Sequence, residues 1–341
     1  VTTPVRLDGV GGAIVPPAPS ANLRARAIGR VALRKLIDIV VVMLVAATFV
    51  FLMLQLMPGD PADVLLKGVF EITPGLRAEV IANYGLDRPV WEQYWQFMTG
   101  MFRGDLGQSY LLRQPVTEII AANIGPTAAL AASALILAIV LSVVGATLSS
   151  GRGPIALLLT QTFELLAISV PSFWIGLLLL TAFSFMIPIF PSSGAGSFSA
   201  LVLPAITLAI PVTGVLAQIL RERMEEALDQ PFVVTSRTRG AGDMRIRIVH
   251  ALRHAVLPAL TYAGAVLGSL LIGTAVIETL FARPGLGRVL LTAVIANDMP
   301  LIMGIIIFGA LVFVIVNSII DVLSAAIDPR TRIDSGVRSA W

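Results

Sequence analysis

Glu164 stands in "TQTFELLAIS", and the run from Gly153 to Leu220 holds no other charge. An acid inside an apolar segment either reaches water at the segment end or faces a bundle interior, where it packs or lines a path. His250 and His254 are four residues apart, a spacing that sets two zinc ligands on one helix face. A third ligand is not at hand, since Asp243 lies seven residues before His250. Interfacial or capping histidines are therefore the competing reading. A phosphate-binding loop needs Lys followed by Ser or Thr, but Lys35 precedes Leu36 and Lys67 precedes Gly68. Neither His-Glu-x-x-His nor Gly-x-Ser-x-Gly occurs. The chain has no cysteine, which excludes disulfides and thiolate metal sites. These residues predict no catalysis, no metal and no cofactor bound by the chain itself.

The elements that hold these residues follow from composition. Of 341 residues, 56% are hydrophobic and 13% charged, against roughly a quarter charged in a soluble domain. So much apolar surface requires lipid. The net charge of +3 comes from two Lys and 22 Arg against 21 acids. The Arg cluster between apolar runs, which reads as membrane topology rather than nucleic-acid binding. The first 22 residues lack the apolar core of a signal peptide and read as a flexible Pro/Gly tail.

About 20 apolar residues cross a membrane. Ile39 to Met57, preceded by Leu36, makes a first span, and Thr127 to Ser149 a second. The turn-rich stretch 188–204 divides the next run into spans at 155–187 and 204–222. Pro258 to Leu280 makes a fifth and Met299 to Ser324 a sixth. Glu164 is read as the one ionisable residue within a span. Pro171, in "SVPSFW", should kink its helix and free backbone carbonyls. Phe173 and Trp174 beside it join Glu164 as candidate pathway or packing residues.

The expectation is an all-α membrane protein with six transmembrane helices. Its transmembrane domain covers 31–330, between a flexible tail, 1–30, and a second tail, 331–341. Arg24, Arg26, Arg30, Arg34 and Lys35, then Arg152, then seven Arg from Arg221 to Arg253, then Arg330, Arg332 and Arg338 all fall on one side. By the positive-inside rule that side is the cytoplasm. The 58–126 insert, with five basic and eight acidic residues, falls outside. Within it Val90, Tyr94, Phe97 and Met98 have helical spacing, with Trp91 and Trp95 beside them. That predicts a helix at the outer interface or a small soluble cap.

The 223–257 loop is the charged interruption. Pro231 can start one short helix in "PFVVTSRTRG". After the Gly240–Gly242 turn, Met244, Ile248, Ala251, Leu252 and Ala255 form one apolar stripe, with Arg247, His250 and His254 off it. Two short helices hinged at glycines between two spans suit a lever that another protein pushes.

"VTSRTRGAGDMRIRIVHALRHAVLP" resembles the loop by which permeases of ATP-binding-cassette importers dock their ATPases, in its dipeptide/oligopeptide/nickel form. "LMPGDPA" (56–62), "YGLDRPVWEQYWQFMTGMFRGDLGQSY" (84–110), "SVPSFWIGLLL" (169–179), "TLFARPGLGRVLLTAV" (279–294) and "DPRTR" (328–332) are similar to segments of that family, in its order. The long insert resembles that of the dipeptide-permease B-type subunit. The resemblance implies docking through Val234, Thr235, Ser236, Arg237, Arg239 and Gly240 before the turn. After it, Ala241, Gly242, Asp243, Met244, Arg245 and Arg247 would take part. Two departures stand out. Val234, Thr235 and Ser236 replace the family's Glu-Ala-Ala, removing a bracing Glu, and the Leu-Pro is delayed to Leu257–Pro258.

The resemblance further implies a second permease subunit in a heterodimer, two ABC ATPase subunits carrying ATP and Mg, and an extracytoplasmic substrate-binding protein. The substrate would be a di- or oligopeptide. Nickel, glutathione or another small solute is the alternative cargo. The rivals from other classes are a non-transporting assembly protein and an intramembrane enzyme.

Overall fold

The computed structural model describes residues 21–56, 61–66 and 73–327. Residues 1–20 of the expected first tail and residues 328–341, which hold all of the expected second tail, "DPRTR", Arg330, Arg332 and Arg338, lie outside the described residues, as does most of "LMPGDPA". The chain divides into two compact units, Val1–Val41 and Val42–Trp341. The described part of the first is the start of α1 (Ala21–Gln55), with Leu36, Ile37, Val40 and Val41 exposed. Residues 21–30, read above as tail, are helical there.

The second unit continues with α2 (Pro61–Leu65), α3 (Pro74–Tyr84), α4 (Val90–Arg103) and α5 (Val116–Ser149). Then come α6 (Pro154–Ser169), α7 (Ser172–Leu180) with a π-helical turn at Thr181–Met186, and α8 (Ser199–Leu228). Next are α9 (Pro231–Thr238), the single turn α10 (Asp243–Arg245), a second π-helical turn at Ile246–Ala251, and α11 (Leu252–Gly273). Last are α12 (Ala275–Leu280), α13 (Leu286–Ala296) and α14 (Met299–Ile327). Proline supplies the first residue of α3, α6 and α9, where its missing N–H has no intrahelical partner to lose.

Among the described residues, four helices are long and apolar enough to cross a membrane: Lys35–Gln55, Val116–Ser149, Ser199–Leu228 and Met299–Ile320. The α6–α7 pair adds a fifth if it is one span, but it is bent by 97°. By length and composition, four to five spans of the expected six are found among the described residues. Pro171 cannot donate to the ladder, and it holds Val170 extended at ψ 125°, so the expected kink is a near-right-angle break. The expected fifth span, 258–280, is likewise divided at Thr274 between α11 and α12.

The span of α8 is 67% buried, against 17–28% for the other three, so α8 is the axis of the bundle. It packs on α5, α6, α7 and α11. On α5 a small residue recurs every fourth position, at Ala134, Ala138, Ser142 and Ala146, all fully buried. Such stripes bring helix backbones close without relying on hydrophobic drive. The Ser142 hydroxyl donates to the carbonyls of Ala138 and of Thr213 on α8. The outward faces of α5, α6 and α7 expose Ile136, Val140, Leu158, Leu166 and Leu178, a surface too apolar for water.

The helical spacing read in the insert is realised in α4. Tyr94, Phe97, Met98 and Met101 pack on Met43, Leu44 and Ala47 of α1, while Trp91 and Trp95 stay exposed. The Tyr94 hydroxyl meets the Thr48 Oγ1 at 2.8 Å.

Candidate functional site

Glu164 is 3% exposed and pairs with Arg221 of α8. The Arg221 Nε donates to Glu164 Oε1 at 3.0 Å and its Nη2 to Oε2 at 2.9 Å. This side-on fork satisfies both carboxylate oxygens, the geometry in which Arg differs from Lys. A third group, Glu225, receives the Arg221 Nη1 at 3.4 Å from the more exposed side. Glu164 is thus buried and ion-paired within the helix bundle. Arg221, counted above only as a topology-setting loop residue, is its partner. At that level α6 and α8 touch so closely that a Cβ on Gly214 would lie 3.0 Å from the Ala167 Cβ.

Arg221 sits ten residues before α9, where the charged loop begins. Helix α9 ends in Gly240 at φ 81°. The amides of Gly240 and Ala241 return to the carbonyls of Arg237 and Ser236, a glycine-terminated helix stop. The inner side of the loop is fixed. Val233 and Ile246 are buried, Ser236 Oγ donates to the Phe232 carbonyl, and Phe232 lies 6.4 Å from the His250 ring and 5.5 Å from that of His254. The outer side carries the residues expected to dock, except Ser236 and Arg247. Val234, Thr235, Arg237, Arg239, Gly240, Gly242, Asp243, Met244 and Arg245 are exposed and Ala241 is half-buried. Arg237 and Asp243 form an exposed 3.4 Å pair across the turn, worth under about 1 kcal/mol.

Two expectations for this loop are corrected. Met244 and Ile248 are exposed rather than part of a buried stripe. Arg247, expected off the stripe, is buried and donates from Nη2 to the Gly151 carbonyl at 3.4 Å. The π-helical turn at 246–251 is the cause, because one extra residue per turn puts Met244 and Ile248 out of phase with Ala251 and Ala255. Among the described residues no group of three His, Cys, Asp or Glu is placed to hold a metal.

Pro171, Phe173 and Trp174 stand at the α6–α7 break, with Phe173 and Trp174 both exposed. Among the described residues no hydrogen bond joins them to the 231–257 loop. Instead, α7 packs on α8 and α12 at Gly176, where a Cβ would meet the Leu280 side chain at 2.7 Å.

Two buried carboxylates escaped the sequence reading. Glu278 lies inside the expected fifth span, so Glu164 is not the one ionisable residue within a span. Its Oε1 accepts from Thr127 Oγ1 at 2.6 Å and Thr274 Oγ1 at 3.0 Å, and its Oε2 from the Arg288 amide at 3.0 Å. It thereby ties α5, α12 and the N-terminus of α13, where the helix dipole favours an anion. Burial lowers the affinity of the neighbouring Arg283 for its proton, while Glu278 opposes this. Asp298 caps α14 through the Leu301 amide and receives Ser109 Oγ and the amides of Tyr110 and Leu111. Gly285 explains the glycine of "RPGLG", since a Cβ there would lie 2.2 Å from the Glu278 carboxylate. We expect Gly285→Ala to lower stability by about 1–3 kcal/mol through overpacking. It would be read as a lower thermal midpoint in detergent, and an unchanged midpoint would contradict this packing.

An all-helical membrane protein with a braced, polar-fronted loop between its core helices is the class these features define. Residues 138–333 match the family model for the binding-protein-dependent transport system inner membrane component, and residues 28–131 match that for its N-terminal part. The chain belongs to this family, the membrane permease components of ABC importers, in which ATP hydrolysis lies on separate subunits. It is 36% identical over 314 residues to the "Putative peptide transport system permease protein" of Brucella abortus, covering 89% of this chain and 98% of that one. It is 35% identical over 307 residues to the glutathione transport system permease protein GsiC of Salmonella typhimurium, covering 88% and 98%.

Proposed function

We propose that this chain is the B-type permease subunit of a dipeptide or oligopeptide importer. It forms half of the conduit with a second permease subunit, served by two ATPase subunits and an extracytoplasmic substrate-binding protein. ATP and Mg are handled on the ATPases. The 231–257 loop docks them, with the exposed residues between Val234 and Arg245 entering a groove on the ATPase surface, while Arg247, expected among them, is buried. The observation that carries this reading is the division of the loop. Its back is anchored through Val233, Ile246 and Arg247, while its front exposes Val234, Arg239, Met244 and Arg245. A lever must be stiff on one side and available on the other. Closing of the ATPase dimer then draws the loops together and turns the helices outward.

The termini and this loop are cytoplasmic and the 58–126 insert is outside, as the Arg distribution supports. Peptide is favoured as cargo because the relatives bear peptide and glutathione in their names, and glutathione is itself a short peptide. Residues 31–330 form the permease domain, with tails at either end.

Vesicles holding the purified complex test the function directly. ATP-driven uptake of a labelled dipeptide, competed by other dipeptides more strongly than by glutathione or nickel, is expected. Uptake of glutathione unaffected by dipeptides would reverse the cargo assignment, and absence of any associated ATPase would end the importer reading. The native lack of cysteine makes orientation accessible. A Cys at the exposed Gln114 should react with an impermeant maleimide from outside. Reaction only after the inner membrane is opened would invert the topology.

A further inference from the structure

The side chains of α4 sort into three sectors. At about 100° per residue, Tyr94, Phe97, Met98 and Met101 fall on one face. Trp91, Trp95 and Phe102 come next, within about 40° of one another. Glu92, Gln96, Thr99 and Arg103 occupy the third sector. The first face packs against Met43, Leu44 and Ala47 of α1 and Ile307 of α14. The second is bare, with Trp91, Trp95 and Phe102 exposed by 64%, 61% and 64%. On the third, Gln96, Thr99 and Arg103 are exposed and Glu92 is half-buried.

The packing partners set the depth of α4. Ala47 lies eight residues before Gln55, where α1 ends, and Ile307 eight residues after Met299, where α14 begins. Eight helical residues measure about 12 Å, so both spans place the contact at the same depth below their ends. The flank of α1 stays apolar to its end, with Phe49, Leu52, Met53 and Leu56 exposed. A hydrocarbon core is about 30 Å thick, so α4 packs within one leaflet and not above it. The Tyr94 hydroxyl agrees. Thr48 Oγ1 donates to the Leu44 carbonyl at 2.7 Å, so Tyr94 donates to Thr48 at 2.8 Å. The hydroxyl is thus satisfied without water, as hydrocarbon requires.

We propose that α4 is a membrane-embedded helix lying along the outer leaflet. Trp91, Trp95 and Phe102 rest against phospholipid acyl chains, and Glu92, Gln96, Thr99 and Arg103 turn to the headgroups. Three sectors then meet three surroundings: protein, hydrocarbon and the polar boundary. Trp at the seam between an apolar and a polar face stands at the depth it favours, and a helix so divided lies in the interface plane. Lipid covers the aromatic face because that face borders the apolar flank of α1. The Tyr94 ring links the two, 5.9 Å from Trp95 and 5.4 Å from Phe51 of α1. The insert is therefore not a soluble cap: it holds the membrane a second time, beside α1. Only the choice of leaflet rests on the topology proposed above.

The test uses the complete complex in phospholipid vesicles. A photoreactive benzoylphenylalanine replacing Trp95, or Phe102 should that variant fold poorly, is irradiated and the chain weighed. A phospholipid adduct is expected, in about fivefold higher yield than from the same probe replacing Thr99 on the polar face. An adduct with another protein would overturn the proposal in favour of a covering subunit, and no adduct at all in favour of a water-exposed cap. A second probe uses the native lack of cysteine. Gln96→Cys should react with an impermeant maleimide from outside and Phe102→Cys should not; equal reaction at both would also overturn the embedding. Failure of the topology looks different: the lipid adduct forms as expected, but Gln96→Cys reacts only once the inner side is opened.

Discussion

Glu164→Leu should remove most of the folded protein from the membrane, while Glu164→Leu/Arg221→Leu should restore it. The single change strands the Arg221 guanidinium, 5% exposed at its side chain, with the more exposed Glu225 as its remaining partner. Breaking one side of such a buried pair costs about 3–5 kcal/mol, whereas replacing both sides with apolar groups is often neutral. That loss is comparable to the whole stability of many domains. Glu164→Lys should be worse than Leu, because it sets two cations together. Glu164→Gln should be the mildest, since its amide oxygen still accepts one of the two Arg221 bonds. The reading is membrane-inserted yield and thermal midpoint for the full set. Wild-type values for Glu164→Leu would mean the pair is idle. Failure of the double Leu variant to recover would mean that charge at this point serves something beyond packing.

Gly240→Val should leave insertion and permease pairing intact but uncouple ATP hydrolysis from transport or lose the ATPase altogether. The glycine has φ 81° with open space around its Cα, so backbone conformation, not crowding, is the constraint. A β-branched residue forced left-handed costs roughly 1–2 kcal/mol and escapes by reshaping the turn. That would misplace Arg239 and Arg245 relative to each other. Gly240→Asn should retain coupling, because Asn tolerates this region. Transport and substrate-stimulated ATPase activity, measured together, decide the matter: normal values for both in Gly240→Val would remove this turn from the docking surface. If the arginines served only topology or anionic lipid, removing several of them together would disturb insertion while Gly240→Val did little.

Local punctuation was legible in the chain. Pro231 opens α9 where proline suggested, Gly240 turns the chain, Pro171 breaks its helix, and Tyr94, Phe97 and Met98 share the packed face of α4. These signals act over a few residues, through φ restriction or helical period. Partners distant along the chain were not legible. Arg221 lies 57 residues from Glu164, Thr127 lies 151 from Glu278, and Ser109 lies 189 from Asp298. No periodicity links such pairs, and in one chain an acid near a span end looks the same whether it meets water or a buried hydroxyl. Hydropathy alone also overstated the continuity of the spans, since 155–187 and 258–280 are apolar throughout most of their length yet broken at Pro171 and Thr274.

The π-helical turn at Ile246–Ala251 makes the aim of the loop a matter of counting. An α-helix advances about 100° per residue. A single supernumerary residue in this turn therefore rotates everything before it by more than a quarter circle relative to α11. With it, Ile246 and Arg247 point inward while Met244 and Ile248 are presented. Were the helix of uniform pitch from Asp243 to Gly273, Met244 and Ile248 would share a meridian with Ala251 and Ala255 and turn toward the core. The direction in which this loop faces is thus set by chain length at one point, and a one-residue deletion there would re-aim it while leaving every exposed side chain of residues 234–245 chemically unchanged.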